Sequence, residues 1–500
     1  MPPDKKQIRI FPFNRVEGDL KVHLRIEDGV VRDAWCAGSM YRGFENIMKG
    51  RGPLDGLVIT PRICGICTTA HLTAAARALD MVCGVRVPGN ALRVRNVALL
   101  AEMIQNDVRH AVQLFMADFT RPGYGDHPLY GEARRRYEPM RGASALQAVS
   151  ESRSLLEIIA ILGGQWPHSS FMVPGGVVCL PSANDISQCR HLARHYRRWY
   201  EERVLGCSLE RWSGVTSRAA LKEWLAASEA HRKSELGFFI RFARTAGLHK
   251  IGGGRGHFIG FGGLVIPKDS EVVAPGRDGE LFPAGFYRDG EAAPLDQKRI
   301  TEAIDCSWFA GYRAPRHPFE GMTRPYATGN ENRQYTWAKA PRYDGLPAET
   351  GPLAQMLLAG DPLLTELIRE EGPSVFARQL ARIVRSSRTL IALETWLREL
   401  SRRQGLFYND APPIEQGRGF GLVEAPRGAL GHWVVIDNGA IQSYQVITPT
   451  TWNASPRDRQ GVRGPMEEAL VGTPVRDPDD PLEAELVVRS FDPCLVCTVH

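Results

Sequence analysis

Residues 62–71 read RICGICTTAH, and the chain closes with DPCLVCTVH at residues 492–500. Each stretch holds a Cys-x-x-Cys, Cys64/Cys67 in the first and Cys494/Cys497 in the second, with a histidine shortly after, His71 and His500. Such a turn gathers two sulfurs on one side of the backbone, so two turns offer four thiolates, a set suited to a soft or borderline metal. Structural zinc usually clips neighbouring segments, whereas nearly the whole protein lies between Cys67 and Cys494. Closing so long a loop for structure alone is unusual. By spacing alone, a structural and a catalytic metal both stay open. A thioredoxin-like disulfide is disfavoured because neither pair opens a helix in a βαβ unit.

Composition sets the frame around these pairs. The chain has 500 residues, 43% hydrophobic and 24% charged, values typical of a folded globular protein with a sizeable core. A net charge of +6 is small for this length. Its basic residues fall in helical stretches such as RHLARHYRRWYEER (190–203), expected to be solvated faces, and no nucleic-acid reader motif accompanies them. No run of about 18 apolar residues is present to span a membrane. The start, MPPDKKQIRIFPF, lacks the apolar run of a secretory signal, so the cytoplasm or the cytoplasmic face of a membrane is expected, with periplasmic export on a partner's signal as the alternative. Of the ten cysteines, Cys36, Cys83, Cys179, Cys189, Cys207 and Cys306 stand alone and are expected to pack as small hydrophobes.

The patterning predicts an α+β, predominantly helical fold: a central bundle of long helices with small antiparallel sheets at its N-terminal, middle and C-terminal regions. Short alternating runs over residues 7–35 predict a small sheet, with Gly29 at a turn. Residues 91–119 place Val94, Val97, Ala101, Ile104, Val108, Ala111 and Phe115 three or four apart, the stripe of one long helix. Further helices are expected at 143–162, after the capping-type PSANDI (181–186), and at 374–403. Residues 432–448 predict a hairpin about Asn438-Gly439, and LEAELVVRSF (482–491) a strand leading into the second cysteine pair. The stretch IGGGRGHFIGFGG (251–263) lacks the GK[ST] ending of a phosphate loop and is a glycine-rich turn. We treat 1–500 as a single large unit with an N-terminal sheet region (1–60), a first motif and helical bundle (61–250), a strand-rich flank (251–350), bundle helices (351–410) and a C-terminal strand region (411–500).

Taken together, RxCGxCxxxH at 62–71 and DPCxxCxxH at 492–500 resemble the two cysteine motifs of the large, catalytic subunit of nickel–iron hydrogenases. NRVEGDL (14–20), YRGFE (41–45), CSWF (306–309), TWAKAPRYDG (336–345), APRGALGHW (425–433) and YQVITPTTWN (444–453) agree, so the resemblance runs from residue 14 to 500. It implies an enzyme that cleaves H2 to protons and electrons at a nickel–iron centre whose iron carries one carbon monoxide and two cyanides. By position, Cys64 and Cys494 would bind nickel alone, and Cys67 and Cys497 would bridge both metals. Glu17 matches the proton-gate glutamate, with Cys494 as the first base. Arg427 matches an arginine overhanging the cluster, Thr450 a hydroxyl that hydrogen-bonds a cyanide, and His71 a donor to a bridging sulfur. Glu45, the backbone carbonyl of Val446 and His500 match a second metal site, magnesium or iron. Electrons would leave through a small subunit holding iron–sulfur clusters, in an obligate heterodimer open to higher assembly.

Where many members read HDHLVH, this chain reads QNDVRH (105–110), so Asn106 replaces a carboxylate near the cluster, and neither it nor Asp107 is assigned its proton or arginine-pairing role. The family's cleavable C-terminal extension does not follow His500, the expectation being a mature form or a chain made without one. NRVEGDL and MYRGFE favour the uptake and sensory branch, with uptake preferred. The alternatives are a regulatory, H2-sensing subunit and a non-catalytic scaffold related to a subunit of respiratory Complex I.

Overall fold

Four apolar stripes face one another at the centre of the chain. The computed structural model describes residues 5–272, 279–312, 314–328, 333–402 and 404–500. Its long helices Gly89–Arg109, Ala143–Gly163, Ala183–Trp199 and Val375–Leu400 pack together as the expected bundle. All seven stripe residues from Val94 to Phe115 are buried in the main core. Ser182 caps the third helix, its side chain accepting from the Asp185 N–H, and Ser374 caps the fourth. The expected end of that fourth helix, Arg403, lies outside the described residues.

A buried ion pair ties the bundle to the loop that carries Arg427. Arg385 grips Asp107 with two bonds, Nε to Oδ2 at 2.9 Å and Nη2 to Oδ1 at 2.6 Å, and both side chains are 0% exposed. The same guanidinium donates to Gln355 Oε1 and to the Pro426 carbonyl, each at 2.7 Å. Its fork thus satisfies acceptors on three further segments that would otherwise be dry and unpaired.

Small antiparallel sheets surround the bundle. Lys5–Ile10, Leu20–Glu27 and Val30–Gly38 form the N-terminal meander, and short strands between Phe258 and Tyr343 form the flank. The C-terminal sheet contains the expected hairpin, Gly428–Asp437 with Ala440–Ile447, plus a strand at Gly417–Ala425 that the sequence reading omitted. That strand is glycine-rich because the Thr68–Cys83 helix lies directly on it: a Cβ at Gly419 or Gly421 would collide with the Ala78 or Ala74 carbonyl.

Three expectations are corrected. Residues 482–491 are not a strand; Leu482–Ser490 is a helix. Its alternating pattern is misleading because the helix is buried on every side, and its polar residues join an internal network in which Arg489 Nη1 contacts Glu485 at 3.1 Å and Asp118 at 2.7 Å. The helix expected over 91–119 keeps regular α geometry only to Arg109, then widens into a π turn, His110–Phe115, and tightens at Met116–Thr120. Among the isolated cysteines, Cys36, Cys189 and Cys306 are buried and Cys179 and Cys207 pack half-buried against the main core as expected, whereas Cys83 is half-buried away from it.

The C-terminal segment docks on the turn before Leu20. Gly18 has φ +80°, and a Cβ there would lie 2.8 Å from the Val496 amide nitrogen. Beside it, the Leu495 N–H donates to the Glu17 carbonyl at 2.6 Å. Two results follow. Gly18→Ala should speed hydrogen exchange at the Leu495 amide while bundle amides keep their protection. Asp107→Ala, which strands the Arg385 charge in a dry core, should cost about 3–5 kcal/mol of stability, read from denaturant unfolding.

Candidate metal centre

The two cysteine pairs, far apart in the sequence, meet at one buried spot. Cys64 sits in the turn after Thr60–Arg62, and Cys67 is the N-cap of the helix Thr68–Cys83. Cys494 caps the last short helix, Leu495–Thr498, which contains Cys497. All four cysteines are free and buried. Cys64 Sγ lies 3.6 Å from Cys494 Sγ, Cys67 Sγ 3.2 Å from Cys497 Sγ, and Cys494 Sγ 3.0 Å from Cys497 Sγ.

The surrounding backbone and side chains fix this geometry. The Ile66 N–H donates to Cys64 Sγ at 3.3 Å, closing the first turn onto its own sulfur. Arg42 donates to the Ile63 carbonyl of the first motif and to the Val496 carbonyl of the second, joining the two. Thr450 Oγ1 accepts the Cys494 N–H at 3.0 Å, which leaves its own hydrogen for another acceptor. Glu17 pairs with the tail through its backbone, its N–H donating to the Pro493 carbonyl at 3.3 Å; its side chain is half-buried.

Arg427 is held against the cluster by Asp492, its Nε lying 3.0 Å from the Asp492 Oδ1 and donating to the Asp492 carbonyl at 3.0 Å. Asn106 Nδ2 donates to the other carboxylate oxygen at 2.8 Å. The arginine-pairing role is therefore filled by Asp492, with Asn106 as its neutral donor, while Asp107 is engaged elsewhere. Burial works against the Arg427 charge, but Asp492 and the sulfurs of Cys494, Cys67 and Cys64 outweigh it and hold the guanidinium firmly protonated.

The sulfurs divide their charge unequally. Hydrogen bonds from the Cys494, Cys497 and Cys67 thiols pull Cys64 well below the ordinary thiol range. Cys67 is pushed up by its contact with Cys494, and Cys497 by burial. Four crowded, buried thiols cannot all ionise without a cation among them. Two nitrogens, Arg427 Nη1 and His71 Nε2, are buried without a hydrogen-bond partner among the described residues, so the neighbourhood of the cluster keeps polar capacity for an additional group. The donor set and these orphaned atoms fit a thiolate-bound metal centre.

A second polar cluster lies beyond Cys497. His500 Nδ1 is 2.6 Å from the Cys497 carbonyl, and its Nε2 is 3.3 Å from Glu45 Oε1. Lys339 Nζ bonds Glu45 Oε2 and Gln445 Oε1, each at 2.8 Å. It is the amide N–H of Val446 that the structure sets on Glu45, at 2.9 Å. Burial works against the Glu45 charge, but Lys339 and His500 prevail and keep it well below the usual carboxylate range. Glu302 is buried with no hydrogen bond to either carboxylate oxygen among the described residues, Lys339 Nζ lying 3.9 Å from Oε2, and burial pushes its pKa up to about 7. These oxygens suit a hard divalent ion.

Sequence reading missed Arg42, Asp492, Lys339 and Glu302 as members of these sites, although Arg42, Asp492 and Lys339 lie inside motifs it quoted. It also missed Glu102, whose carboxylate accepts the Thr69 and Ala70 N–H groups at 2.8 and 3.1 Å and so anchors the first turn after Cys67.

Comparison with known proteins agrees with this geometry. The sequence profile described as nickel-dependent hydrogenase matches residues 42–122 and 239–500. The periplasmic [NiFeSe] hydrogenase large subunit of Desulfomicrobium baculatum is 32% identical over 99% of this chain and 95% of its own length. The hydrogenase-2 large chain of Escherichia coli K12 is 28% identical over 99% and 97%. Among solved structures, H2-activated [NiFeSe] hydrogenase of Dm. baculatum superposes with a TM-score of 0.81 at 32% identity, covering 99% of this chain and 100% of that one. The reduced Ni-Fe-Se hydrogenase of D. vulgaris Hildenborough gives 0.82 at 31% identity, with the same coverage. The architecture is thus that of the hydrogenase large subunits, and this chain belongs to the nickel-dependent hydrogenases as a large subunit.

Proposed function

We propose that this chain, acting as one catalytic unit over residues 1–500, cleaves H2 at a nickel–iron centre held by its four paired cysteines. The observation that carries the assignment is the group of free, buried sulfurs 3.0–3.6 Å apart. Cys64 and Cys494 would hold nickel, and Cys67 and Cys497 would bridge it to an iron bearing one carbon monoxide and two cyanides. When bound, that centre supplies the heterolytic cleavage of H2 and the redox states that take up its electrons.

The protein's own groups handle the proton and the charge. Cys494 Sγ is the first base, and Glu17, paired to the tail beside it, receives the proton and passes it outward. Arg427 would supply a fixed positive charge and an N–H that has no partner among the described residues, and Thr450, whose oxygen accepts the Cys494 N–H, its hydroxyl hydrogen, for anionic ligands of iron. Glu45 and His500, with water and the Val446 backbone, would hold magnesium or iron, fastening the C-terminus.

Electrons need an exit. The six remaining cysteines are dispersed and form no further cluster site among the described residues. We therefore assign the relay to an iron–sulfur small subunit in an obligate heterodimer. We favour H2 uptake over sensing because His71 stands at the first cysteine motif, and the four cysteines with Glu17 argue against a non-catalytic scaffold. No helix among the described residues is long and apolar enough to cross a membrane. The cytoplasm or the cytoplasmic face of a membrane is our proposed compartment; periplasmic export on a partner's signal is the second reading, favoured by the periplasmic Desulfomicrobium relative.

The test is H2-dependent dye reduction by the purified large–small complex. Wild type should turn over, and Glu17→Gln should fall by about 10²–10⁴-fold with its nickel content unchanged. Full turnover in Glu17→Gln would remove the proton role.

A further inference from the structure

His71 lies one helical turn beyond Cys67, and its ring is fully buried. Its Nδ1 is 3.0 Å from Nε2 of His432 on the strand Gly428–Asp437. His432 Nδ1 is in turn 2.8 Å from the hydroxyl of Tyr444 on the neighbouring strand Ala440–Ile447. Three buried polar side chains thus form a file. At its far end, His71 Nε2 has no hydrogen-bond partner among the described residues. Both rings are fully buried and touch no carboxylate among the described residues, the setting of neutral imidazoles.

A file of neutral imidazoles can point its hydrogens either way, because each ring carries one N–H and one lone pair. Tyr444 decides the direction. Its hydroxyl is buried, and His432 Nδ1 is the acceptor within reach among the described residues. Leaving that O–H unbonded would cost about 1–3 kcal/mol. Tyr444 therefore donates to Nδ1 of His432, whose hydrogen then sits on Nε2 and is donated to Nδ1 of His71. The hydrogen of His71 is left on Nε2. The opposite direction would strand the phenol hydrogen and leave a lone pair on Nε2, one helical turn from Cys67, whose carbonyl accepts the His71 backbone N–H at 3.2 Å.

We propose that Tyr444 and His432 are positioning residues that lock His71 in its Nε2–H tautomer, so that it offers a hydrogen-bond donor, not a lone pair, to the thiolates of the metal centre. This rests on the nickel–iron reading of the four cysteines. A donor on a thiolate withdraws electron density from sulfur, and through it from the metals, so the file tunes the centre without touching it. Neither His432 nor Tyr444 need contact substrate or metal.

The direct test is nitrogen-15 NMR of the histidine-labelled, metal-loaded complex in a diamagnetic state, with His432→Gln used to assign the pair. We expect hydrogen on Nε2 and none on Nδ1 for both His71 and His432. Hydrogen on Nδ1 of His71 overturns the proposal, and this reading requires no variant at the sulfur cluster. Infrared spectra give the second readout. In Tyr444→Phe the file loses its direction, and the carbonyl and cyanide bands should shift to lower frequency or split. In His432→Gln, whose amide can both accept from Tyr444 and donate to His71, they should stay in place. Bands in Tyr444→Phe identical to wild type overturn the tuning. If Tyr444→Phe fails to load nickel, the wild-type nitrogen spectrum alone decides. Carbonyl and cyanide bands missing from wild type would instead sink the nickel–iron reading, a failure distinct from a reversed tautomer.

Discussion

Four sulfurs from two motifs at opposite parts of a 500-residue chain lie 3.0–3.6 Å from their neighbours in a dry interior. Such a cluster is stable only if negative charge is compensated, and the surrounding structure is organised to do so. Arg427 brings a permanent cation, and Asp492 fixes its position while lying only two residues before Cys494. Thr450, Glu17 and Arg42 hold the tail by backbone groups, so the second motif cannot shift without breaking several bonds at once. A carbonyl of the same tail, that of Cys497, accepts from or orients His500, which carries the constraint on to Glu45 and Lys339.

The interior beyond the cluster follows the same logic. Charged groups are buried in bidentate or networked pairs, of which Asp107 with Arg385 is the driest. That pair links the bundle to the Pro426 carbonyl, immediately before Arg427. Bundle packing therefore sets the position of the arginine as well as the stability of the core. Glycine does a related task at the C-terminal sheet, where Gly419 and Gly421 let a helix lie flush on a strand and bring the first motif down beside His432.

Much of this was legible in the sequence. The cysteine spacing exposed the metal set, and the helical stripes exposed the bundle, because both depend on local residue order. The strand at 417–425 escaped notice because its glycines weaken every strand signal, although their period of two marks the face that meets the helix. The helix at 482–490 was misread because total burial erases the polar face that usually reveals a helix. Asp492 and Lys339 were hidden for another reason: their importance lies in partners far away in sequence, such as Arg427 and Glu45, which no local pattern announces. Asn106 did stand out as a departure, but only the structure links it to Asp492.

The central claim is that the paired cysteines hold nickel and a diatomic-bearing iron. Infrared spectroscopy of the purified, mature large–small complex tests it most directly. The account predicts one carbonyl and two cyanide bands that move under hydrogen, in protein that contains nickel and iron. Silence in that region, with zinc or no metal bound at the four sulfurs, would contradict it.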